Sequence, residues 1–378
     1  MPYCRLKDRV AIDIGYIAPA AREHIRRAGP TEVTVQVMDM RSDNTLYLHI
    51  GRNKAGSTTL QNYWVAHAGE LRRAGVQYAL FGQPSPPGSG LPTFPTQALL
   101  ADFVRAEPGR AVLVSQEVIC CFTPEATRRL ASDLAGLNVQ LIFYVRPYRD
   151  WVLSSYNFDV RTGYNGRDFD RYLEDLRPLI SFRPMLEIWG EIIGWKNIHV
   201  RSLDRRDLRD GDLIADGNAA IGVSLPSGGP AARDNASPSW MAIEMLRTIV
   251  GRDVADGWQG TDLAIAHKLH DYTDAAMAAC GTSSGPVNYF TRQQARWLSD
   301  LYNRDLAAIA EHTGVSLQPD DAGAAADRPF LPSADRVPRD MLRAIVRFAA
   351  DPAAPEHHPV VAAFVKTPRF KALCGLRT

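Results

Sequence analysis

Five short runs rich in β-branched and aromatic residues, separated by stretches of helical periodicity, constrain this chain most. They are Thr45–Ile50, Val76–Leu80, Ala111–Ser115, Val139–Val145 and Asn197–Ser202. Four of them read as nearly continuous Val, Ile, Leu, Phe and Tyr, the pattern of strands covered on both faces. Helix candidates lie between them at Thr58–Ala74, Pro95–Ala106, Pro124–Leu134 and Tyr148–Thr162. Parallel neighbours need a long crossover, and a helix supplies it, so strand and helix in alternation predict an α/β core with helices flanking a parallel sheet. That core is expected over residues 44–205.

Beyond residue 205 the β signal is nearly absent. The segments SPSWMAIEMLRTIVG, TDLAIAHKLHDYTDAAMAA and TRQQARWLSDLYNRDLAAIAEHTG carry helical periodicity, and helix N-caps favour the Ser and Thr near their starts. A mainly helical part is therefore expected over 206–319, in one domain with the core (44–319). Gly-, Pro- and Asp-rich stretches at 225–234 and 318–334 read as loops, the second preceding a loop and helical tail at 320–378. Residues 1–43 form an N-terminal extension with no strong periodic pattern, and no role is assigned to it.

Charge narrows the partners. The chain carries 43 Lys and Arg against 42 Asp and Glu, a balance that gives no support to a nucleic-acid or membrane-surface partner, so any anion site must be local. The five cysteines (Cys4, Cys120, Cys121, Cys280, Cys374) form no C-x-x-C and no His/Cys cluster at metal spacing, so no metal is expected. Adjacent Cys120 and Cys121 read as small buried apolar residues. No run approaches a membrane-spanning length, and the charged N-terminus does not read as a targeting segment; a cytoplasmic protein is the expectation.

The first strand leads into the stretch LYLHIGRNKAGSTTLQNYW, Leu46–Trp64. Its apolar run stops at a glycine, a polar loop follows, and a helix starts at Ser57, Thr58 and Thr59. A helix N-terminus after a strand is an anion site, because its first N–H groups lack partners and its dipole is positive there. Gly51 and Gly56 have the spacing of a triphosphate-binding loop, G-x-x-x-x-G-K-[ST], yet Ser57 stands where the lysine belongs and Lys54 lies two residues before Gly56.

The pattern K-x-G-[ST]-T after a strand resembles the phosphosulfate-binding loop of sulfotransferases that use 3′-phosphoadenosine-5′-phosphosulfate (PAPS), in the version of bacterial and carbohydrate-type members. That family binds the 3′-phosphate through an arginine at the end of a buried strand and a serine eight positions on. LIFYVRPYRDWVLSSYN supplies Arg146 and Ser154 at that spacing. Arginine suits the task because its planar fork grips two phosphate oxygens. A softer likeness in HVRSLDRRDLRDGDLIADGNAAIGV and NASPSWMAIEMLRTI extends the resemblance to about residue 315.

The resemblance implies a P-loop-type parallel sheet and sulfuryl transfer from PAPS, leaving 3′-phosphoadenosine-5′-phosphate (PAP). It implies Lys54 at the bridging oxygen and leaving phosphate, and Ala55, Gly56, Ser57, Thr58 and Thr59 around the 5′-phosphate. Two features depart from the small-molecule cytosolic branch: Leu60 replaces its adenine-stacking tryptophan, and its glycine-rich C-terminal loop is absent. A carbohydrate, glycolipid or bacterial small molecule is thus the expected acceptor, at a hydroxyl or amine.

The family's base is a histidine or a glutamate after a central strand. Here Glu117, in SQEVICC, is the leading candidate against a plain surface or capping role. His49, beside the loop, is the alternative, although its direction can bury it under the sheet. Arg149, Arg161 and Arg167 fit an anion-friendly rim or a solvated helix face, and Tyr148, Trp151, Tyr156, Phe158 and Tyr164 fit core packing better than an acceptor cleft. His199, His267 and His270 receive no role. Two other functions compete: a nucleotide-dependent kinase, which predicts Lys at position 57 and an acidic, magnesium-binding strand end, and a non-catalytic nucleotide-binding protein of the same fold.

Overall fold

The structure is a computed structural model that describes residues 45–82, 90–106, 109–162, 164–225 and 289–321, with isolated positions at 240, 243, 244, 247 and 366. The extension 1–43, the expected helix in TDLAIAHKLHDYTDAAMAA, all but positions 240, 243, 244 and 247 of SPSWMAIEMLRTIVG, and most of the tail 320–378 lie outside them.

Six strands form one sheet: β1 (Thr45–His49), β2 (Val76–Phe81), β3 (Thr93–Phe94), β4 (Ala111–Ser115), β5 (Asn138–Val145) and β6 (Ile198–Ser202), in the order β3-β2-β4-β1-β5-β6. Every pairing is parallel; Leu48 faces Val114 on one side and Leu141 on the other. The expected P-loop-type architecture, a parallel sheet flanked by helices, is therefore the one observed.

Alternate residues supply two separate cores. Leu46, Leu48, Val112, Val114, Leu141, Phe143 and Val145 face one layer of helices, while Tyr78, Leu113, Ile142 and Tyr144 face the other. The first layer holds α3 (Gln97–Ala106), α4 (Pro124–Asp133), α5 (Tyr148–Arg161), α6 (Phe169–Leu176), α7 (Arg183–Ile193) and α9 (Arg292–Thr313). The second holds α1 (Ser57–Ala66) and α2 (Ala68–Arg73), with α8 (Leu213–Ala220) packed on α1. Burial on both faces is why the middles of β4 and β5 are continuous apolar runs, Val112–Val114 and Leu141–Val145.

The expected helix Thr58–Ala74 is two helices. At His67 the ring nitrogen Nδ1 bonds the Tyr63 carbonyl at 2.9 Å and the ring stacks on Tyr63, and φ −108°, ψ 22° there leaves the helical region. The His67 N–H still donates to the same carbonyl at 3.0 Å, so the chain turns at His67 while keeping that bond, and α2 starts at the next residue. In contrast α9 starts as its sequence predicts, with Thr291 and Gln294 in a reciprocal capping box. α9 packs on α5, and Tyr148 at the start of α5 donates to the buried Asp305 of α9, which also accepts from Ser181 at 2.8 Å. The start of α5 is thereby anchored beside the end of β5.

Candidate active site

β1 and β5 are adjacent, so the loop after β1 and the turn into α5 emerge together at the C-terminal edge of the sheet, where open α/β sheets bind ligands. The loop 50–56 is built from backbone pairing and two clamps. Ile50 and Arg52 donate to Ile142 and Tyr144 of β5, and Tyr144 donates back to Gly51 at 2.7 Å. The first clamp is Arg146, whose Nη1 donates to the Lys54 carbonyl at 3.2 Å; the second is Trp151, whose Nε1 reaches the Asn53 carbonyl at 3.1 Å. Arg52 lies buried beneath the loop, 3.3 Å from the Trp151 ring centre, and donates to the Leu179 carbonyl at 2.9 Å. None of Arg52, Asn53 and Trp151 stood out in the sequence as loop supports; the adjacency of Arg52 to Lys54 was the one available signal.

Gly56 enters α1 at φ 77°, ψ 4°, and no side chain caps that helix. Its first N–H groups therefore lack intrahelical partners, an arrangement that suits an anion. Glycine suits this position: the left-handed φ favours it, and a Cβ would meet Leu213 Cδ2 at 2.6 Å, so that side chain would have to shift. Ser57 is buried and Ala55 fully so, whereas Thr58 is exposed and Thr59 half-buried.

Lys54 has φ 60°, and its Nζ lies 3.3 Å from the centre of the Phe158 ring on α5. Burial holds its pKa below the ordinary lysine value; Glu117 and Asp159 oppose that shift, and Arg161 adds to it. Asp159 is the second group that the sequence reading missed. Burial pushes its carboxyl up to about 6, against the Tyr172 hydroxyl, which donates at 2.8 Å, and the charge of Lys54. The Arg161 Nε is buried without a hydrogen-bond partner.

Glu117 follows β4 on a short 3-10 helix, Glu117–Cys121, started by Gln116, whose Nε2 donates to the Phe81 carbonyl at 2.7 Å and whose Oε1 accepts from Val118. The Ser57 hydroxyl donates to Glu117 Oε2, so the carboxylate stands at the N-terminus of α1, half-buried, with its Cβ within reach of Gly51. His49 points the other way. It is fully buried on the α1 side of the sheet, edge-on to Trp64 and Tyr144, and its Nδ1 shares a 2.7 Å hydrogen bond with Ser115 Oγ. Burial lowers its pKa to about 3.

Ser154 is half-buried on α5, two turns beyond the residue that opens the helix, and forms no hydrogen bond among the described residues. The rest of the expected arginine rim is engaged elsewhere: Arg149 makes a bidentate pair with Asp320, and Arg167 pairs with Asp175. Of the five aromatics, Tyr148, Trp151 and Tyr156 are buried, while Phe158 and Tyr164 are 40% and 50% exposed. Among the described residues no helix is long and apolar enough to cross a membrane, and no group of three or more His, Cys, Asp or Glu is placed to hold a metal ion.

No protein-family model matches the chain, and no curated protein is similar to it. Among solved structures it is similar to the crystal structure of a sulfotransferase from Alicyclobacillus acidocaldarius, at 15% identity and a TM-score of 0.33, over 57% of this chain and 97% of that one. A likeness so slight carries no argument about the site, which rests on its own geometry.

Proposed function

We propose that the chain is a PAPS-dependent sulfotransferase acting on a hydroxyl or amine of a carbohydrate, glycolipid or small metabolite. The observation that carries this reading is the meeting of the displaced-lysine loop with Arg146 at the ends of adjacent parallel strands, Arg146 Nη1 lying 3.2 Å from the Lys54 carbonyl. A magnesium–triphosphate site is less well supported. Position 57 is a serine whose hydroxyl turns to Glu117, and no strand among the described residues ends in a carboxylate.

The residues fit a bisphosphorylated nucleotide. The uncapped N–H groups of Ser57, Thr58 and Thr59, with Ala55 and Gly56, would receive the 5′-phosphate, and the Arg146 fork with the unengaged Ser154 hydroxyl the 3′-phosphate. PAPS supplies the sulfuryl group and a phosphate leaving group. Lys54 neutralises the charge that grows on the leaving oxygen as the S–O bond breaks, a contribution that gains strength in a partly dehydrated site. Glu117, held by Ser57, takes the proton from the acceptor as its oxygen or nitrogen bonds to sulfur. His49 is not the base in this scheme: it is 0% exposed, packed between the sheet and α1.

The test is transfer of label from radiolabelled PAPS to a panel of sugars, glycolipids and phenols. Wild type should label an acceptor, and Lys54→Ala and Glu117→Gln should each lose on the order of a hundredfold in rate with unchanged circular dichroism. Undiminished transfer by Lys54→Ala contradicts the assignment.

A further inference from the structure

The helical turn that carries Glu117 ends in two adjacent thiols. Cys120 and Cys121 are both half-buried, and their sulfurs lie 3.7 Å apart in a shared hydrogen bond. Neighbours on one turn ordinarily point apart, so the approach reflects converging rotamers. Cys120 also touches the phosphate-type loop: the Asn53 backbone N–H bonds its sulfur, and Arg52 lies close enough to favour its thiolate. The bond between the sulfurs first, then Asn53 and Arg52, hold the Cys120 thiol below its ordinary range against burial, while the same bond and burial raise the Cys121 thiol. One sulfur is therefore poised as nucleophile and its neighbour as the resolving thiol. Contacts from both ends of the turn run into the site, Glu117 to Ser57 and Cys120 to Asn53.

We propose that Cys120 and Cys121 are a vicinal dithiol that peroxides close to a disulfide, and that closure reshapes the turn bearing Glu117 and switches the site off. The chemistry balances. The Cys120 thiolate attacks one peroxide oxygen, the O–O bond breaks, and hydroxide leaves to take a proton, giving water and a sulfenic acid. Cys121 then attacks the Cys120 sulfur, the S–O bond breaks, and a second water carries off the hydroxyl with the Cys121 proton. Peroxide gains the two electrons that the thiols lose.

The coupling to the site is geometric. A trans peptide holds adjacent Cα atoms about 3.8 Å apart, short of the roughly 4.4–6.8 Å that disulfides ordinarily span, so this ring cannot take ordinary disulfide geometry and must twist the peptide and the torsions that join the two cysteines. The ring closes only if the backbone at 120–121 moves, and that backbone belongs to the 3-10 helix whose turns are the Ile119-to-Gln116 and Phe122-to-Ile119 hydrogen bonds. Movement there withdraws Cys120 from Asn53 and turns Glu117 away from Ser57.

The experiment treats reduced full-length protein with hydrogen peroxide, with and without later dithiothreitol. Trypsin releases both thiols in one peptide, Ala111–Arg128. The proposal expects that peptide to lose two hydrogens, backbone amides of 52–59 and 117–122 to exchange faster with deuterium, and both changes to reverse with dithiothreitol. Cys121→Ser should keep the reduced exchange pattern and stop at the sulfenic acid without faster exchange at 52–59. Oxidation that leaves this peptide's thiols unpaired, or a disulfide with unchanged exchange at the loop, overturns it. Mass and exchange score the dithiol whether or not the protein transfers sulfuryl groups, so failure of the functional reading stays separate.

Discussion

Replacing His49 by Asn removes a titrating group from the heart of the sheet. The wild-type imidazole lies between Trp64 and Tyr144, bonded to Ser115, and its Nε2 is buried without a partner. Protonation would place a charge and an unsatisfied N–H there, and burial accordingly lowers the pKa from 6.5 to about 3. The unfolded chain takes up this proton first, so stability is complete above about pH 6.5 and falls as acid is added, until the folded form also protonates near pH 3. Each pH unit in that window costs about 1.4 kcal/mol, so this group removes roughly 2 kcal/mol by about pH 5 and some 5 kcal/mol across the window. Asp159 acts with the opposite sign. Its carboxyl, raised from 3.8 to about 6, favours the folded state on acidification through that range and flattens the total profile. Asp159 is present in both proteins, and subtraction cancels it. Urea unfolding at about pH 7 and about pH 5 should therefore show wild type losing roughly 2 kcal/mol more than His49→Asn. Equal losses would refute the reasoning, because they would mean that His49 gains no proton on unfolding.

Two further substitutions probe the supports of the site. Gly56→Ala puts a Cβ 2.6 Å from Leu213 Cδ2 at φ 77°, and urea unfolding should register a loss of about 1–3 kcal/mol; an equally stable variant would mean that the loop entry relaxes freely. Asp216→Asn breaks a buried pair in which the carboxylate, 1% exposed, accepts two bonds from Arg201 at 2.5 Å and one each from Tyr144 and the Arg209 N–H. Arg201 keeps some solvent access, so the loss should be about 2–4 kcal/mol rather than more, and a loss within experimental error would contradict the account of how α8 is held to the sheet.

How far the sequence was legible follows from where the determining contacts lie. β4 and β5 were readable because both faces are buried and each residue reports its own environment. β3 was not: Thr93–Phe94 is two residues long and pairs only with Leu80 and Phe81, too short for any period. α6 and α7 also went unproposed. Their signals were present: Asp168 as an N-cap accepting from Arg171, Phe169, Tyr172, Leu173 and Leu176 at helical spacing, and Pro184 in the first turn of α7, but each helix is only about two to three turns long. The shape of the loop and the place of Arg146 at the end of β5 were legible because glycine spacing and a strand end are local features. Asp159, Arg52 and Trp151 were not, because their roles arise where α5 lies along a loop some hundred residues earlier in the chain. His49 shows the limit of position along the chain: next to the loop in sequence, it turns by strand alternation into the core under α1, against Trp64 and Tyr144, and is fully buried there.

The central claim is that the loop and Arg146 together receive a bisphosphorylated nucleotide. Thermal unfolding of the purified protein with PAP, and separately with magnesium ATP, repeated on Arg146→Ala, tests it most directly. A ligand that binds only the folded state adds about 2.7 kcal/mol at a hundredfold excess over its dissociation constant. The account predicts that PAP raises the melting temperature of the wild type, that Arg146→Ala loses most of that rise, and that magnesium ATP gives little. A rise with magnesium ATP alone, or a PAP response untouched by Arg146→Ala, would contradict it.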